Sequence, residues 1–264
     1  MKVTVQDVIN SIVISEVIEK ETVDKLEFGD PRTFVKGITV TFLATQEVIE
    51  KSIELGVNFI ISHEGIFYSH ISNMGFLESD PVVQYKLKTI ESNNLAVFRL
   101  HDNIHRRHPD SIMVGLLKCL NWESYEVIRQ TTYSVLDIPK KTLLEVIEYV
   151  KKILNVQYLR FVGDLSMECS RVGILVGYRG TGQMAIPLFH KENLDLLIYG
   201  EGPEWETPEY VRDAIQQGRQ KALIVLGHAE SEKPGMEYIA NIIREKFPNI
   251  PVHYISQPPI FRIY

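Results

Sequence analysis

Short apolar runs alternate along this chain with segments in which apolar residues recur every three or four positions. Runs such as FIIS at 59–62 and ALIV at 222–225 have the length of buried strands. Between such runs lie segments such as 143–154, where the spacing of Leu, Val and Ile indicates an amphipathic helix. Strands that alternate with helices in this way predict an α/β fold with parallel strands.

The alternation continues through both halves of the sequence. A chain of 264 residues corresponds to one large domain or two small ones, at roughly 150 residues per domain. The break near 123–132 contains no Gly/Ser-rich linker. We therefore expect a single unit, 1–264, built from two packed lobes at approximately 1–125 and 126–264.

Composition argues against several classes of protein. With 28 Lys+Arg and 34 Asp+Glu, the net charge is −6, so we expect no nucleic-acid partner. The two cysteines, Cys119 and Cys169, form no Cys-x-x-Cys pair and are expected to be buried thiols. No apolar run reaches the ~18 residues of a membrane span, so we expect a cytoplasmic protein without a membrane partner.

Histidines and carboxylates follow the apolar runs directly. His63 and Glu64 come after FIIS, and His228 comes after ALIVLG, with Glu232 four residues later. Open α/β sheets bind their ligands beyond the carboxyl ends of the strands, so these side chains are expected at a site. Pro234 is tolerated in the first turn of a helix, which predicts Ser231 as the N-cap and Glu232 at the helix entrance.

A third run ends in LHDNIHRRHPD, which contains His101, Asp102, His105 and His108 within eight residues. Imidazole and carboxylate groups together suit zinc, manganese, iron or nickel. Four or five such groups are enough for two ions that share a bridging water. The sequence therefore makes a dinuclear metal centre feasible.

Each of these residues also has a structural interpretation. A single histidine at a strand end is more often hydrogen-bonded within the protein than bound to a metal. We interpret the remaining histidines, including the nearby His108, as structural. Arg106 and Arg107 either belong to a solvated turn or bind a phosphate group beside the metals. The histidines set aside in this way are His70, His108, His190 and His253.

Several better-known motifs are missing. His63-Glu64 has Phe67 where the metalloprotease helix requires a second histidine. GYRGTGQ at 177–183 lacks the Lys-Ser/Thr ending of a nucleotide-binding loop, so it is either an ordinary strand-to-helix turn or a cradle for another anion. No Gly-x-Ser-x-Gly elbow is found, so nucleophilic catalysis has little support.

Taken together, three segments resemble the Nif-three-like family, described as GTP cyclohydrolase I type 2 homologues and dinuclear metal-centre hexameric proteins. The segments are Ser62-His63-Glu64, the stretch from His101 to His105, and Gly227-His228-Ala229-Glu230-Ser231-Glu232 followed by Gly235. The resemblance spans nearly the whole chain. It implies two packed α/β lobes with the metal site in a cleft at the strand ends.

The resemblance also implies the metal ligands. Glu64 stands where the commoner pattern has a histidine, and His105 stands where it has an aspartate. Because one exchange reverses the other, the set keeps three histidines and two carboxylates. The Thr-Gly-Asp segment of the family is altered here to Tyr199-Gly200-Glu201. The implied ligands are His63, Glu64, His105, His228 and Glu232.

From the ligand set we predict a metal-dependent hydrolase. Two divalent ions, Zn, Mn or Fe, would act on a nucleotide or phosphoester-like small molecule, with His101 as the proton shuttle and Arg106 and Arg107 as substrate contacts. The family forms toroidal homohexamers, so the same assembly is expected. The alternative is a non-catalytic metal-binding ring with a regulatory or scaffold role. The cyclohydrolase label rests on resemblance only and leaves turnover open.

Overall fold

A computed structural model of the chain describes residues 2–14, 21–70, 75 and 77–264. The helices are α1 (Val5–Ile12), α2 (Gln46–Glu54), α3 (Pro81–Ser92), α4 (Asp102–His105), α5 (Ser111–Cys119), α6 (Leu143–Leu154), α7 (Gly182–Lys191), α8 (Thr207–Gln216) and α9 (His228–Lys246). The strands are β1 (Lys25–Phe28), β2 (Ile38–Thr41), β3 (Phe59–Ser62), β4 (Ala96–Arg99), β5 (Glu126–Arg129), β6 (Ser134–Thr142), β7 (Arg160–Val162), β8 (Glu168–Leu175), β9 (Leu196–Tyr199), β10 (Ala222–Val225) and β11 (Val252–Tyr254).

The chain divides into two compact units, which we call unit 1 and unit 2. Unit 1 comprises Met1–Arg107 and Met236–Gln257, and unit 2 comprises His108–Gly235 and Pro258–Tyr264. These limits differ from the lobes at 1–125 and 126–264, because the last strand, β11, pairs with β2 of the first sheet. A division at a single position in the sequence cannot represent a chain that returns to its first sheet.

Unit 1 contains a sheet with the order β1-β4-β3-β2-β11. Strands β11, β2, β3 and β4 are parallel, and β1 is antiparallel to β4. Every residue of β2, β3 and β4 is buried, as expected for parallel strands covered on both faces. Ile49 of α2 and Val83 of α3 belong to the same apolar cluster as Ile60 and Val97 of the sheet.

Unit 2 contains a sheet with the order β5-β6-β8-β9-β10-β7. Its centre, β8-β9-β10, is parallel, and the flanking strands pair antiparallel. Leu188 and Phe189 of α7 and Val211 of α8 cluster with Leu197 and Leu223 of the sheet. The predicted α/β class is confirmed in both units, since the runs at 59–62 and 222–225 are β3 and β10 and the segment 143–154 is α6.

The start of α9 corrects one sequence-based expectation. Ser231 is not the N-cap, because the helix begins at His228 and continues through Pro234. A proline inside a helix removes one backbone donor, and here the helix continues despite that loss. The Ser231 hydroxyl instead donates to the His228 carbonyl at 2.7 Å and accepts from the Gly177 amide at 2.9 Å. His228 and Glu232 are therefore one helical turn apart on one face of α9.

Short or polar elements were not predicted. Two of the four residues of β1, KLEF, are charged, and β6 contains Pro139 and a register irregularity between Asp137 and Lys141. The four-residue helix α4 is too short for helical periodicity to be visible in the sequence. Among the residues that the structure describes, no helix combines the length and the apolar character needed to cross a membrane.

Candidate metal centre

Three histidines of unit 1 lie against one another. His63 follows β3 and His101 follows Leu100 at the end of β4, and these strands are parallel with Ser62 paired to Arg99. Both side chains therefore leave the same edge of the sheet, and His105 joins them from α4. The ring centroids of His63 and His101 are 4.6 Å apart, and those of His105 lie 5.0 and 4.9 Å from them. One nitrogen from each ring lies within 4.8 Å of the other two.

Hydrogen bonds determine the tautomers of two of these rings. His63 Nδ1 lies 3.0 Å from the Leu100 carbonyl oxygen, and His101 Nδ1 lies 2.9 Å from Asp102 Oδ1. Both oxygens are acceptors, so each Nδ1 carries the proton and donates it. The lone pair of each ring is then on Nε2. Histidine ligands in metal sites are usually oriented in this way, through the nitrogen that does not bind the ion.

Burial keeps His101 neutral. Desolvation lowers the pKa of His101 to about 3, and the neighbouring His63 and His105 act in the same direction. His63 and His105 are themselves buried. Neutral imidazole is the form that binds a metal ion. The place of His101 in the cluster suits a metal ligand, and its role as a proton shuttle stays a prediction.

Asp24 holds the first turn of α4, from a position 77 residues away in the sequence. Its Oδ1 accepts from the amides of His101 and Asp102 at 2.6 and 2.8 Å, and its Oδ2 accepts from the Asn103 amide at 2.7 Å. Carboxylates stabilise helix N-termini because the first amides have no partner within the helix. Asp24 therefore positions the segment that carries His101 and His105, and the sequence contained no signal for this contact.

Glu64 lies next to this cluster and is bound by a buried arginine. The Arg99 side chain, 0% exposed, donates from Nη2 to Glu64 Oε2 at 3.0 Å and to His70 Nδ1 at 3.0 Å. Glu64, His70 and His101 are also close enough to hold an ion. However, Glu64 Oε2 and His70 Nδ1 both accept from the cationic guanidinium group. Repulsion from that charge favours the three-histidine cluster as the metal position.

Unit 2 brings a second histidine together with two carboxylates. His228 follows β10 and Glu201 follows β9, and these parallel strands end at the same edge. His228 Nδ1 lies 2.9 Å from Glu201 Oε2, and Nε2 lies 3.3 Å from Glu232 Oε2. Glu232 is 2% exposed, and a Cβ at Gly177 would overlap its Oε1 atom. Glu201, from the altered Tyr199-Gly200-Glu201 segment, is thus in position to orient the His228 ring.

The segment 177–183 forms a strand-to-helix turn. It connects β8 to α7, and Glu206 Oε2 accepts from the Gly182 amide in the first turn of α7 at 2.5 Å. A carboxylate of the chain therefore occupies the place where an external anion would bind a helix N-terminus. This favours the ordinary turn over the anion cradle.

Arg106 and Arg107 form bonds within unit 1. Arg106 donates to the Glu21 carbonyl at 3.3 Å and pairs with Asp102 Oδ2 at 3.3 Å. Arg107 donates to the Ile12 carbonyl and to Asn103 Oδ1, and burial lowers the pKa of its guanidinium group. These contacts support a structural role, and the phosphate contact stays a prediction.

The structure therefore adds two residues that sequence reasoning did not identify, Asp24 and Arg99, and it adds an orienting role for Glu201. Arg99 had a visible signal, because it is a charged residue inside the apolar run LAVFRL. His70 was assigned a purely structural role, and it lies against Arg99 at the edge of the cluster. His190 is exposed and His253 is in the edge strand β11.

Comparison with known proteins gives consistent matches. The chain is 26% identical over 255 residues to the GTP cyclohydrolase 1 type 2 homolog of Clostridium perfringens, with 91% of each chain covered. It is 26% identical over 248 residues to the Clostridium acetobutylicum protein of the same name, with 89% and 88% covered. These alignments extend over both units.

Solved structures share the fold. A Bacillus cereus protein related to NIF3 superposes with a TM-score of 0.79 at 14% identity, covering 100% of this chain and 99% of the other. A Staphylococcus aureus hypothetical protein superposes with a TM-score of 0.78 at 18% identity, covering 100% of both chains. The model of the Duf34/NIF3 (NGG1p interacting factor 3) family matches residues 3–259. The resemblance inferred from the motifs is thereby confirmed, and the chain belongs to the Duf34/NIF3 family.

Proposed function

We propose that this protein binds divalent metal ions and is a metal-dependent hydrolase acting on a nucleotide or phosphoester-like small molecule. The observation that carries the metal-binding part is the cluster of His63, His101 and His105, with nitrogens within 4.8 Å of one another. The donor set fits such an ion, because three imidazoles with one remaining position are a known arrangement for catalytic zinc.

The residues of unit 1 would have distinct roles. His63 and His101 present Nε2, since each donates its Nδ1 proton to an oxygen of the chain. His105 supplies the third nitrogen from α4. A bound divalent ion supplies Lewis acidity and lowers the pKa of a coordinated water, so no strong protein base is needed at neutral pH. Glu64 Oε1 lies 3.7 Å from His101 Nε2, so this carboxylate lies beside the three histidines.

We also propose the two-ion centre, and this part rests on the sequence resemblance. In it, His228 and Glu232 are ligands in addition to His63, Glu64 and His105. The contacts of His228 with Glu201 and Glu232 support its role as an oriented ligand. The proposal includes a cytoplasmic toroidal homohexamer, which at 30.3 kDa per chain has a mass of about 180 kDa measurable by light scattering.

The alternative is a metal-binding ring without turnover. One observation favours it: Arg106 and Arg107, the expected substrate contacts, donate to atoms of their own unit. A family name does not decide between these two functions, because one fold hosts many activities.

Metal content decides the binding part of the proposal. The purified protein is incubated with Zn²⁺, Mn²⁺ or Fe²⁺, dialysed and analysed for metal by mass spectrometry. The two-ion proposal expects about two ions per chain, and a three-histidine site alone expects about one. His63→Ala should lose metal, whereas His190→Ala, which changes an exposed histidine of α7, should not. Less than one ion per chain with every metal would refute the proposal.

Turnover is tested separately with the metal-loaded protein. Nucleotides and phosphoesters are offered as substrates, and product is followed by chromatography. Hydrolysis that is lost in His63→Ala and kept in His190→Ala supports the enzyme. Full metal occupancy without hydrolysis of any substrate in the panel supports the non-catalytic ring.

A further inference from the structure

Arg99 is an unusual residue for a buried position in an interior strand. It is the last residue of β4, which pairs with β3 on one side and β1 on the other, and its side chain is completely buried. Burying a guanidinium group is costly unless an anion and further acceptors compensate it. Among the described residues, the ion pair that the structure gives to Arg99 is with Glu64, beside the three-histidine cluster.

The contacts of Arg99 determine which oxygen of Glu64 lies toward the three-histidine cluster. Nη2 donates to Glu64 Oε2 at 3.0 Å, and Nη1 donates to the His70 carbonyl at 2.5 Å. Glu64 Oε1 is the oxygen on the His101 side, 3.7 Å from Nε2. A carboxylate binds an ion through one oxygen or through both, and because Arg99 holds Oε2, Oε1 is the oxygen that Glu64 offers.

The loop after β3 is built tightly around the guanidinium group. A Cβ at Gly65 would lie 2.7 Å from the Ser69 carbonyl oxygen and 3.3 Å from Arg99 Nη1. His70 accepts from Arg99 through both its carbonyl oxygen and its Nδ1 atom. Glu64 Oε2 accepts from two donors of this region, Arg99 Nη2 at 3.0 Å and the Gly65 amide at 3.3 Å.

The charges around the cluster, like its geometry, indicate that imidazole nitrogens are the main ligands of an ion there. Imidazoles bind an ion in their neutral form, and the negative charge of Glu64 is paired with the positive charge of Arg99. An ion at the cluster then interacts mainly with imidazole nitrogens. Imidazole-rich sites suit zinc, copper, iron and nickel, whereas carboxylates and water suit magnesium, calcium and manganese.

We infer that Arg99 is a specificity-determining residue, which makes the cluster of His63, His101 and His105 select Zn²⁺ over Mn²⁺ by holding Glu64 Oε2. This inference rests on the proposed metal binding and deepens it, because it names the class of ion and the residue that selects it. Arg99 acts through Glu64 and touches no ion itself, so it is a positioning residue.

The test compares the dissociation constants of Zn²⁺ and Mn²⁺ in the full chain. Both are measured by competition with a chromophoric chelator, and the readout is the ratio of the Mn²⁺ constant to the Zn²⁺ constant. Arg99→Gln should lower this ratio at least 10-fold, because Glu64 regains its charge and its second oxygen. Arg99→Gln combined with Glu64→Gln should return the ratio to within about 3-fold of the parent, since the freed carboxylate is gone.

Arg179→Gln is the matched control. Arg179 forms an ion pair of 3.0 Å with the buried Asp110 in unit 2, so the control removes a comparable pair elsewhere. Its ratio should equal that of the parent.

Arg99→Lys covers the case in which Arg99→Gln does not fold, because lysine keeps the charge but lacks the planar guanidinium group that binds both Glu64 and His70. Its ratio should also fall, by several-fold.

The outcomes separate the two proposals. If the folded Arg99 variants keep the parent ratio while His63→Ala abolishes binding, the selectivity inference is overturned and metal binding stands. A parent protein that binds neither ion overturns both. A ratio that falls equally in Arg179→Gln also overturns the inference, because the effect would then come from general loosening of the chain.

Discussion

Replacing Asp24 with alanine removes the carboxylate that holds the first turn of α4. Asp24 accepts hydrogen bonds of 2.6, 2.8 and 2.7 Å from the amides of His101, Asp102 and Asn103. α4 has no side-chain cap from its own N-cap residue. The variant therefore leaves these amides without the acceptor that now satisfies them, and the turn that carries His105 loses its support.

The size of the effect follows from these contacts. A hydrogen bond to a charged group contributes about 1.5–3 kcal/mol, but the three bonds share one carboxylate that is only half-buried, and water can replace part of it. We expect a loss of about 2–3 kcal/mol in the free energy of unfolding, above a typical helix cap. Zn²⁺ affinity should fall roughly 10–100-fold, the range for residues that orient metal ligands.

Urea unfolding gives the free energy and chelator competition gives the Zn²⁺ dissociation constant. Asp24→Asn retains one acceptor oxygen and should give intermediate values for both. Asp30→Ala is the control, because Asp30 is an exposed aspartate whose carboxylate binds Arg32 rather than α4. If Asp24→Ala binds Zn²⁺ as tightly as the parent, α4 is not held by Asp24, and the account of how the cluster is positioned is wrong.

Two further predictions concern Glu201 and Lys86. Glu201→Gln should weaken Zn²⁺ binding about 10-fold if His228 is a ligand, because the carboxylate that orients its ring is lost; equal metal content and affinity in parent and variant would exclude that role. Burial lowers the pKa of Lys86 to about 8, so between pH 8 and pH 10.5 the unfolded chain binds more protons than the folded one, and stability rises with pH. We therefore compare the free energy of unfolding of the parent with that of Lys86→Met. The parent value minus the variant value should increase by about 3 kcal/mol between pH 7.5 and pH 10.5, at about 1.4 kcal/mol per pKa unit. Parallel pH profiles of the two proteins would contradict the prediction.

Much of the candidate site was predictable from local patterns. A run such as FIIS predicts a buried strand from its length and composition, and a polar residue directly after it must leave the sheet at its carboxyl end. That reasoning selected His63, His101 and His228 from eight histidines without structural information. Glu232 was selected with them, although the helix start that placed it was wrong by four residues.

Residues that act on the site from a distance in sequence were not predictable. Asp24 reaches α4 across 77 residues, and Arg99 reaches Glu64 across 35. The partner of a buried charge depends on which strands are neighbours, and neighbouring strands need not be consecutive. The sequence showed a charged residue inside a strand, but the identity of its counter-ion required the register of β3 and β4.

By itself, the sequence determined the α/β class, the strand ends and the family, because these follow from periodicity and from motifs that are contiguous in the chain. Only the tertiary structure decided which histidine side chains lie close together. His63, His101 and His105 come from one strand end, another strand end and a short helix, and they converge because parallel strands bring their carboxyl ends to one edge. The pairing of Glu64 Oε2 with Arg99 was also decided there, because a buried guanidinium group must take a carboxylate from whatever element packs beside it.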